Sequence, residues 1–458
     1  MEIDIDSELH RLVYEYFEAR ILFGFYDFEE KLQSAPKIAE SFHLSPSTVR
    51  QAFSQLEKQG YVKLEERKVA RVAYQPAPGE CRERAYRYFA ERRKGITEFN
   101  QSGRLLLQPL WKEGLSRCSD ELLLEFLAKA QKNPDSMAVR VFFYTLNMLD
   151  NQLVLNFFWE IIRYVRFPYL RKETEPLPSD LTSLPRKDIL TFIGRNLFRN
   201  YELELEKVFA FLDESKPESA MEQAEPVPFE WSIYRHRPQL RYTLASQIIR
   251  EAMNGRYPEG TYLPSISKMA ELYGVSDMTI RRTLDILAGL GVTRSYHGRG
   301  TLVCMEEGKI NLSMSGVREG FRLYQESLHI LSLTIYPVAQ YVLAETSKEK
   351  RAALRQGFET LLSEKTSYRC FEILLSFIEE NCTLDVIKEC YGKLRELLAW
   401  GYPFALIRIQ KQRMCSEYLD EISRMIQALS KDDIESFAGI WEELLRREAD
   451  RSRTFGGL

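Results

Sequence analysis

The 458-residue chain has little net charge, few histidines and no long apolar run. Its 63 basic and 66 acidic side chains leave a net charge of −3, so any nucleic acid must be bound by one local face. No stretch approaches the ~18 uncharged apolar residues of a membrane span, and the acidic N-terminus is unlike a signal peptide. Modest glycine (23) and proline (18) exclude collagen-like and low-complexity chains.

Residue types and motifs that commonly serve catalysis or metal binding are also scarce. The seven cysteines are scattered without a CxxC pair, which is typical of reduced thiols in a cytoplasmic protein. Five histidines leave few general bases, and no GxSxG, P-loop, HExxH or helix-opening GxGxxG motif occurs. We therefore expect no enzyme activity and no cofactor. The length predicts about two to four domains.

The sequence contains a gapless internal repeat. A shift of 231 positions places residues 9–32 on 240–263 and residues 34–60 on 265–291, with ten identities in the 29 positions from 32 to 60. Fainter matches continue beyond these segments at nearly the same offset. We interpret the pattern as the duplication of a small domain followed by a helical one. The resulting boundaries are 1–76, helical 77–215, a linker at 216–238, a second small domain at 239–305 and helical 306–458.

The second small domain carries signals for three helices and a hairpin. The first helix ends at Asn254-Gly255, while Ser265 and Ser276 are suited to cap the next two. Gly274 and Gly291 are expected to end those helices, and two strands at 292–295 and 301–304 follow. Three helices and a terminal hairpin predict a winged helix-turn-helix domain.

The first small domain follows the same order. Ser45 caps its third helix with Pro46 at the first helical position, and Gly60 ends it. Strands are expected at 61–64 and 69–73, and His43 stands where the second copy has its turn glycine.

The stretch LPSISKMAELYGVSDMTIRRTLDILAGLGVTRSYHGRGTLV, residues 263–303, resembles the DNA-binding domain of GntR-family bacterial transcription regulators. This resemblance implies a mainly α fold with small β wings, in which two winged helix-turn-helix domains alternate with two α-helical bundles. It also implies double-stranded DNA as the partner. The expected DNA-binding residues are Ser276, Met278, Thr279, Arg281, Arg282, Lys268, His297, Arg299 and Gly300, with Ser45, Ser47, Thr48, Arg50 and Gln51 in the first copy.

The two copies depart from the family pattern and from each other. Arginines that are usual in the family are replaced by Ser267 and Asp277 in the second copy and by Pro36 and Pro46 in the first, so a standard GntR operator is not expected. Residues 240–303 contain eight basic and five acidic side chains, a net +3, whereas residues 1–76 contain ten and thirteen, a net −3. We expect the second domain to carry more of the DNA affinity.

The two long segments between and after these domains have helical periodicity. They resemble the effector domain of FadR-like GntR regulators, but no histidine follows His329, so the metal site of many such domains is not expected. A metal-free effector pocket or no ligand remains open. An aromatic cluster is interpreted as core rather than pocket: Phe142, Phe143, Tyr144, Phe157, Phe158, Trp159, Tyr164, Phe167 and Tyr169. Cys382 and Cys390 are taken as small buried residues on one helix.

These observations favour a cytoplasmic, sequence-specific DNA-binding transcription regulator of GntR type. One chain would then present two DNA-binding modules as a pseudo-dimer, with helical domains for effector sensing or oligomerisation. A small-molecule effector and a homodimer are both left open as partners, and no membrane association is expected. The alternative is a winged-helix scaffold that binds proteins without DNA sequence specificity.

Overall fold

A computed structural model describes residues 5–42, 44–65, 68–125, 144–166, 185–214, 225–233, 240–306, 310–408 and 416–455. The chain divides into two units, Met1–Glu230 and Trp231–Leu458. Each unit begins with a winged helix-turn-helix domain and continues into a helical segment. The expected fold class, mainly α with small β wings, is confirmed.

The first winged helix contains three helices and a short hairpin. These are α1 (Ile5–Leu22), α2 (Ala35–Phe42), α3 (Pro46–Lys58), β1 (Val62–Lys63) and β2 (Arg71–Val72). Its core is made of apolar side chains from α1, α3 and the hairpin that are almost wholly buried: Val13, Val49, Ala52, Leu56 and Val72. The predicted order of elements is confirmed, although the strands are shorter than predicted.

The winged helix of the second unit repeats this arrangement. Its helices are numbered from α8, because α4 to α7 belong to the helical segment of the first unit. The elements are α8 (Leu240–Met253), α9 (Ile266–Tyr273), α10 (Asp277–Gly289), β3 (Thr293–Tyr296) and β4 (Gly300–Val303). The bounds of α9 and α10 lie 231 positions after those of α2 and α3. The hairpin registers agree as well, because Val62 pairs with Val72 and Thr293 with Val303.

Both third helices begin at the serines that the sequence marks as caps. The hydroxyl oxygen of Ser45 accepts from the N–H of Thr48, and that of Ser276 accepts from the N–H of Thr279. Each bond satisfies a backbone donor that lacks a partner within the helix. Gly274 ends α9 at φ 64°, a left-handed conformation that glycine adopts without strain. The corresponding residue of the first copy, His43, lies outside the described residues.

The described part of the helical segment of the first unit includes α4 (Glu80–Glu91), α5 (Arg93–Ser116), α6 (Gln152–Val165) and α7 (Arg186–Glu214). Two glycines of α5 lie directly under tyrosine rings, since a Cβ on Gly95 would overlap Tyr164 and one on Gly103 would overlap Tyr201. The aromatic side chains of α6 are core, as interpreted: Phe157, Phe158, Trp159 and Tyr164 are at most 8% exposed. Phe142, Phe143, Phe167 and Tyr169 lie outside the described residues.

The region interpreted as a linker contains anchored aromatic residues. Phe229 is 6% exposed and packs edge-on against Phe99 at 5.1 Å in the first unit. Trp231 is 2% exposed in the second unit, where its backbone N–H donates to Glu389 at 2.8 Å. Described residues 225–233 are thus held by packing, which their polar and proline-rich surroundings did not indicate.

The helical segment of the second unit is built around one long helix. The α-helices in its described residues are α11 (Ser315–Glu345), α12 (Lys348–Ser363), α13 (Cys370–Asn381), α14 (Asp385–Leu398), α15 (Gly401–Arg408), α16 (Leu419–Ser430) and α17 (Ile434–Phe455). Helix α11 packs along α17. Contrary to the expectation from sequence, one helix, α11, is long and apolar enough to cross a membrane, yet 67% of its most apolar window is buried. A core helix meets the same criteria.

The cysteine interpretation requires one correction. Cys382 and Cys390 are 3% and 2% exposed, so both are buried as expected. They do not share a helix, however, because α13 ends at Asn381 and Cys382 adopts an extended backbone before α14 begins at Asp385. Burial raises the pKa of the Cys390 thiol well above its usual value.

Candidate nucleic-acid interface

The N-terminal turn of α10 presents most of the residues expected to contact DNA. Ser276, Met278, Arg281 and Arg282 are exposed, and Thr279 is half-buried with its hydroxyl 2.9 Å from that of Ser276. Lys268 is exposed on the preceding helix α9. A recognition helix inserts its N-terminal turn into the major groove, so this exposure meets the geometric requirement.

The eight basic residues of residues 240–303 fall into two groups. Four have partners within the second unit: Arg241 bonds the Tyr242 hydroxyl, and Arg250, Arg256 and Arg294 form ion pairs with Glu372, Glu251 and Glu306. The other four, all exposed, form no ion pair with any residue that the structure describes: Lys268, Arg281, Arg282 and Arg299. The unpaired cations belong to the second helix, the third helix and the wing, the elements that meet DNA in this fold.

The wing of the second unit is a hairpin of two four-residue strands, and two glycines determine the conformation of its tip. Gly298 and Gly300 have φ of 73° and 99°, values that side-chain-bearing residues rarely adopt. His297 and Arg299 are exposed at this tip. The hairpin thus carries a cation away from the domain core.

The same positions in the first unit give a different surface. Ser47, Arg50 and Gln51 are exposed and Ser45 is half-buried, as a DNA contact requires. Thr48 is 1% exposed, and its hydroxyl lies 2.7 Å from that of Ser45. The Thr48 side chain is therefore packed beside the capping Ser45, and its contact with DNA stays a prediction that its burial does not favour.

The wing of the first unit neutralises its own cations. Lys63 and Lys68 both pair with Glu65, at 3.6 and 2.6 Å. Glu66 and Arg67 lie outside the described residues. Together with the net charge of −3 of residues 1–76, these pairs leave little positive surface on the described part of this hairpin.

A second concave site lies in the unit of residues 231–458, where the end of α8 meets the helical segment. It is a cavity of ≈ 100 Å³. Aromatic side chains form one part of its lining: Tyr324, Tyr368, Phe371, Tyr402 and Tyr418. Sequence reasoning did not find this site, because its residues are distant in the chain and carry no motif.

Charged side chains of this cavity connect the winged helix to the helical segment. Oε1 of Glu372 lies 3.6 Å from Nη2 of Arg250 on α8 and 3.6 Å from Nε of Arg395 on α14. Arg369 donates to the side-chain oxygen of Asn254, which follows α8, at 3.0 Å. The Nε atoms of all three arginines are buried and form no hydrogen bond, although buried N–H donors normally have an acceptor.

The described residues include no comparable cluster of metal-binding side chains. Among the residues that the structure describes, no group of three or more histidine, cysteine, aspartate or glutamate side chains is placed to hold a metal ion.

Comparison with known proteins identifies both winged helices. Residues 9–72 and 240–303 each match the family described as bacterial regulatory proteins, gntR family. Each of the two winged helices is thus similar to the helix-turn-helix domain of this family. The matched ranges differ by the same 231 positions as the repeat.

A curated relative and several solved structures are also similar to parts of the chain. The HTH-type transcriptional repressor NagR of Bacillus subtilis is 26% identical over 156 residues, which are 34% of this chain and 60% of the relative. The structure titled Streptococcus agalactiae GntR is 15% identical, covers 46% of this chain and 100% of its own, and has a TM-score of 0.21. E. coli McbR/YncC is 15% identical with coverages of 46% and 97% and a TM-score of 0.27. TM-scores this low do not establish a shared overall fold.

Proposed function

We propose that the protein is a cytoplasmic, sequence-specific DNA-binding transcription regulator of GntR type. The observation that carries this proposal is the set of four unpaired cations on α9, α10 and the wing of the second unit, within a domain that matches the family. Unpaired cations on these elements can neutralise backbone phosphates beside a groove, which a protein-binding scaffold does not require. In vitro selection from random duplexes tests the proposal. Recovery of a common sequence supports it, and retention of no duplex at low salt contradicts it.

We further propose that the chain is an internal duplication that acts as a pseudo-dimer. Equal helix bounds and equal hairpin registers at a constant offset support a common origin of the two modules. Their different charge predicts an asymmetric operator with two unlike half-sites, about one helical turn apart. A footprint on the selected DNA, combined with the mass of the complex, tests this. A single half-site protected per chain would contradict the pseudo-dimer and indicate a homodimer.

We propose effector sensing for the helical segment of the second unit. The cavity between α8 and this segment holds three arginines with buried Nε donors, beside aromatic rings. The arginines suit an anionic group and the rings suit an apolar part of one small molecule, which has to compete with Glu372 for Arg250, since Glu372, Glu417 and Glu448 line the same cavity. Because Arg250 lies on a helix of the winged domain, such competition changes how that domain is held.

The effector proposal is tested by thermal shift with a panel of small carboxylates and phosphates. A ligand that raises the Tm of the wild type is expected to lose its effect on Arg395→Ala, which lines the cavity, and to keep it on Arg424→Ala, whose partner is the exposed Glu443. The same ligand is expected to change the affinity for the selected duplex. Equal shifts in both variants would place the ligand elsewhere.

A further inference from the structure

The two winged helices differ in the apolar side chains that they expose. In the second unit, Met278 is 57% exposed, Leu272 49%, Tyr262 48% and Tyr296 39%. The residues 231 positions earlier in the first unit are polar or charged: Ser47, Ser41, Lys31 and Glu65. Phe28 of the first unit is 48% exposed as well, but the four side chains of the second unit lie on, or pair with, the helices and the wing that carry the unpaired cations. Water solvates apolar groups poorly, so their clustering beside these cations points to a surface that becomes covered.

Met278 has the most informative position of the four. It lies in the first turn of α10, two residues after the cap Ser276, whereas the apolar side chains that hold α10 to its core, Ile280 and Leu287, are fully buried. Met278 is thus not part of the core. In a helix that enters the major groove by its N-terminal end, this turn is the part that reaches base edges.

The neighbours of Met278 favour a base edge over a phosphate. Asp277 is exposed beside it and carries a negative charge, with Ser267 as a partner 3.5 Å away. A carboxylate repels phosphates and guanine acceptors but accepts from cytosine or adenine amino groups. The unpaired Arg281 and Arg282 one turn later supply the attraction to the backbone. The only apolar group on a major-groove base edge is the C5-methyl of thymine.

We propose that Met278 packs against the methyl group of a thymine and fixes the base at that position of the operator. The inference rests on the proposed DNA-binding function and adds the base that this residue reads. Burial of one methyl-sized group is worth about a fourfold change in affinity. A different occupant, an apolar face of a protein, would not need the flanking cations.

The test uses the full chain and a duplex obtained by in vitro selection. Each thymine of the bound site is replaced in turn by deoxyuridine, which removes the methyl group and leaves all hydrogen-bonding groups in place. Titrations at fixed salt are expected to show one position where this replacement weakens binding about fourfold for the wild type and not at all for Met278→Ala. Met278→Leu is expected to keep the sensitivity, since it keeps an apolar side chain.

Leu272→Ala is the matched control, because Leu272 is similarly exposed but lies on α9 rather than in the first turn of α10. It is expected to keep the deoxyuridine sensitivity of the wild type. Uniform insensitivity of all thymine positions, or the same sensitivity in Met278→Ala, overturns the inference while the DNA-binding function stands. Failure to select any duplex overturns both.

Discussion

Removal of the Arg281 side chain is expected to reduce DNA affinity and its salt dependence more than removal of Arg50. The two arginines occupy equivalent positions in α10 and α3, and both are exposed. Neither forms an ion pair within the described parts of the chain. They differ in their surroundings, since residues 240–303 carry a net +3 and residues 1–76 a net −3.

The magnitude follows from the number of unpaired cations. If Lys268, Arg281, Arg282 and Arg299 each neutralise one phosphate, the slope of log affinity against log salt is about −3.6, because each contact contributes about 0.9. Arg281→Ala then reduces the slope to about −2.7. If Arg281 also bonds a base edge, a further loss of about 1–3 kcal/mol is expected. For Arg50→Ala we expect less than half of the slope change.

The assay is a fluorescence anisotropy titration of the selected duplex at several salt concentrations from about 50 to about 300 mM, the range in which counterion release dominates. Arg256→Ala is the matched control: it makes the same charge change in the same domain, but Arg256 is paired with Glu251 at 2.7 Å. Its slope is expected to stay at the wild-type value. Equal slopes for Arg281→Ala and Arg50→Ala would refute the charge argument, and a lowered slope for Arg256→Ala would show that net charge, not the docking face, decides.

Three further predictions concern stability and reactivity. Ser276→Ala removes the cap of α10 and is expected to cost about 1 kcal/mol in urea denaturation, whereas Ser276→Asp should retain most of it; equal losses would exclude capping. Gly320→Ala places a Cβ 2.1 Å from the ring of the buried Trp400 and is expected to lower the free energy of unfolding by about 1–3 kcal/mol. Gly439→Ala, whose Cβ has nothing within 4 Å, is expected to raise it by about 0.4–1 kcal/mol. The unfolding midpoints of the two variants test both expectations. Burial raises the pKa of the Cys118 thiol to about 11, so peptide mapping after thiol alkylation near neutral pH should find it unmodified until the protein unfolds, and rapid native labelling would contradict its burial.

Local signals predicted the winged helices well. Ser45 and Ser276 mark the starts of their helices because a hydroxyl one residue before a helix bonds a free N–H of its first turn, a contact within four residues. Gly274 marks a helix end through its own backbone freedom. Interactions between residues so close in the chain can be predicted from sequence, and the capping serine occurs in both copies of the repeat.

Properties that depend on distant contacts were not predictable in the same way. Thr48 and Thr279 share a motif, but one is buried and the other half-exposed, because their surroundings differ. A charge count of +3 could not show that Arg250 already has a partner, since Glu372 lies more than a hundred positions away. The cavity was not predicted from sequence for the same reason, because its lining residues are distant in the chain.

The identical strand registers have a practical consequence for engineering. Val62 opposes Val72 just as Thr293 opposes Val303, and the third helices are both 13 residues long. Residues 46–58 can therefore be exchanged for residues 277–289 without insertion or deletion. One chain thereby offers its own pair of interchangeable parts, so a graft can separate what the helix recognises from what its host domain contributes.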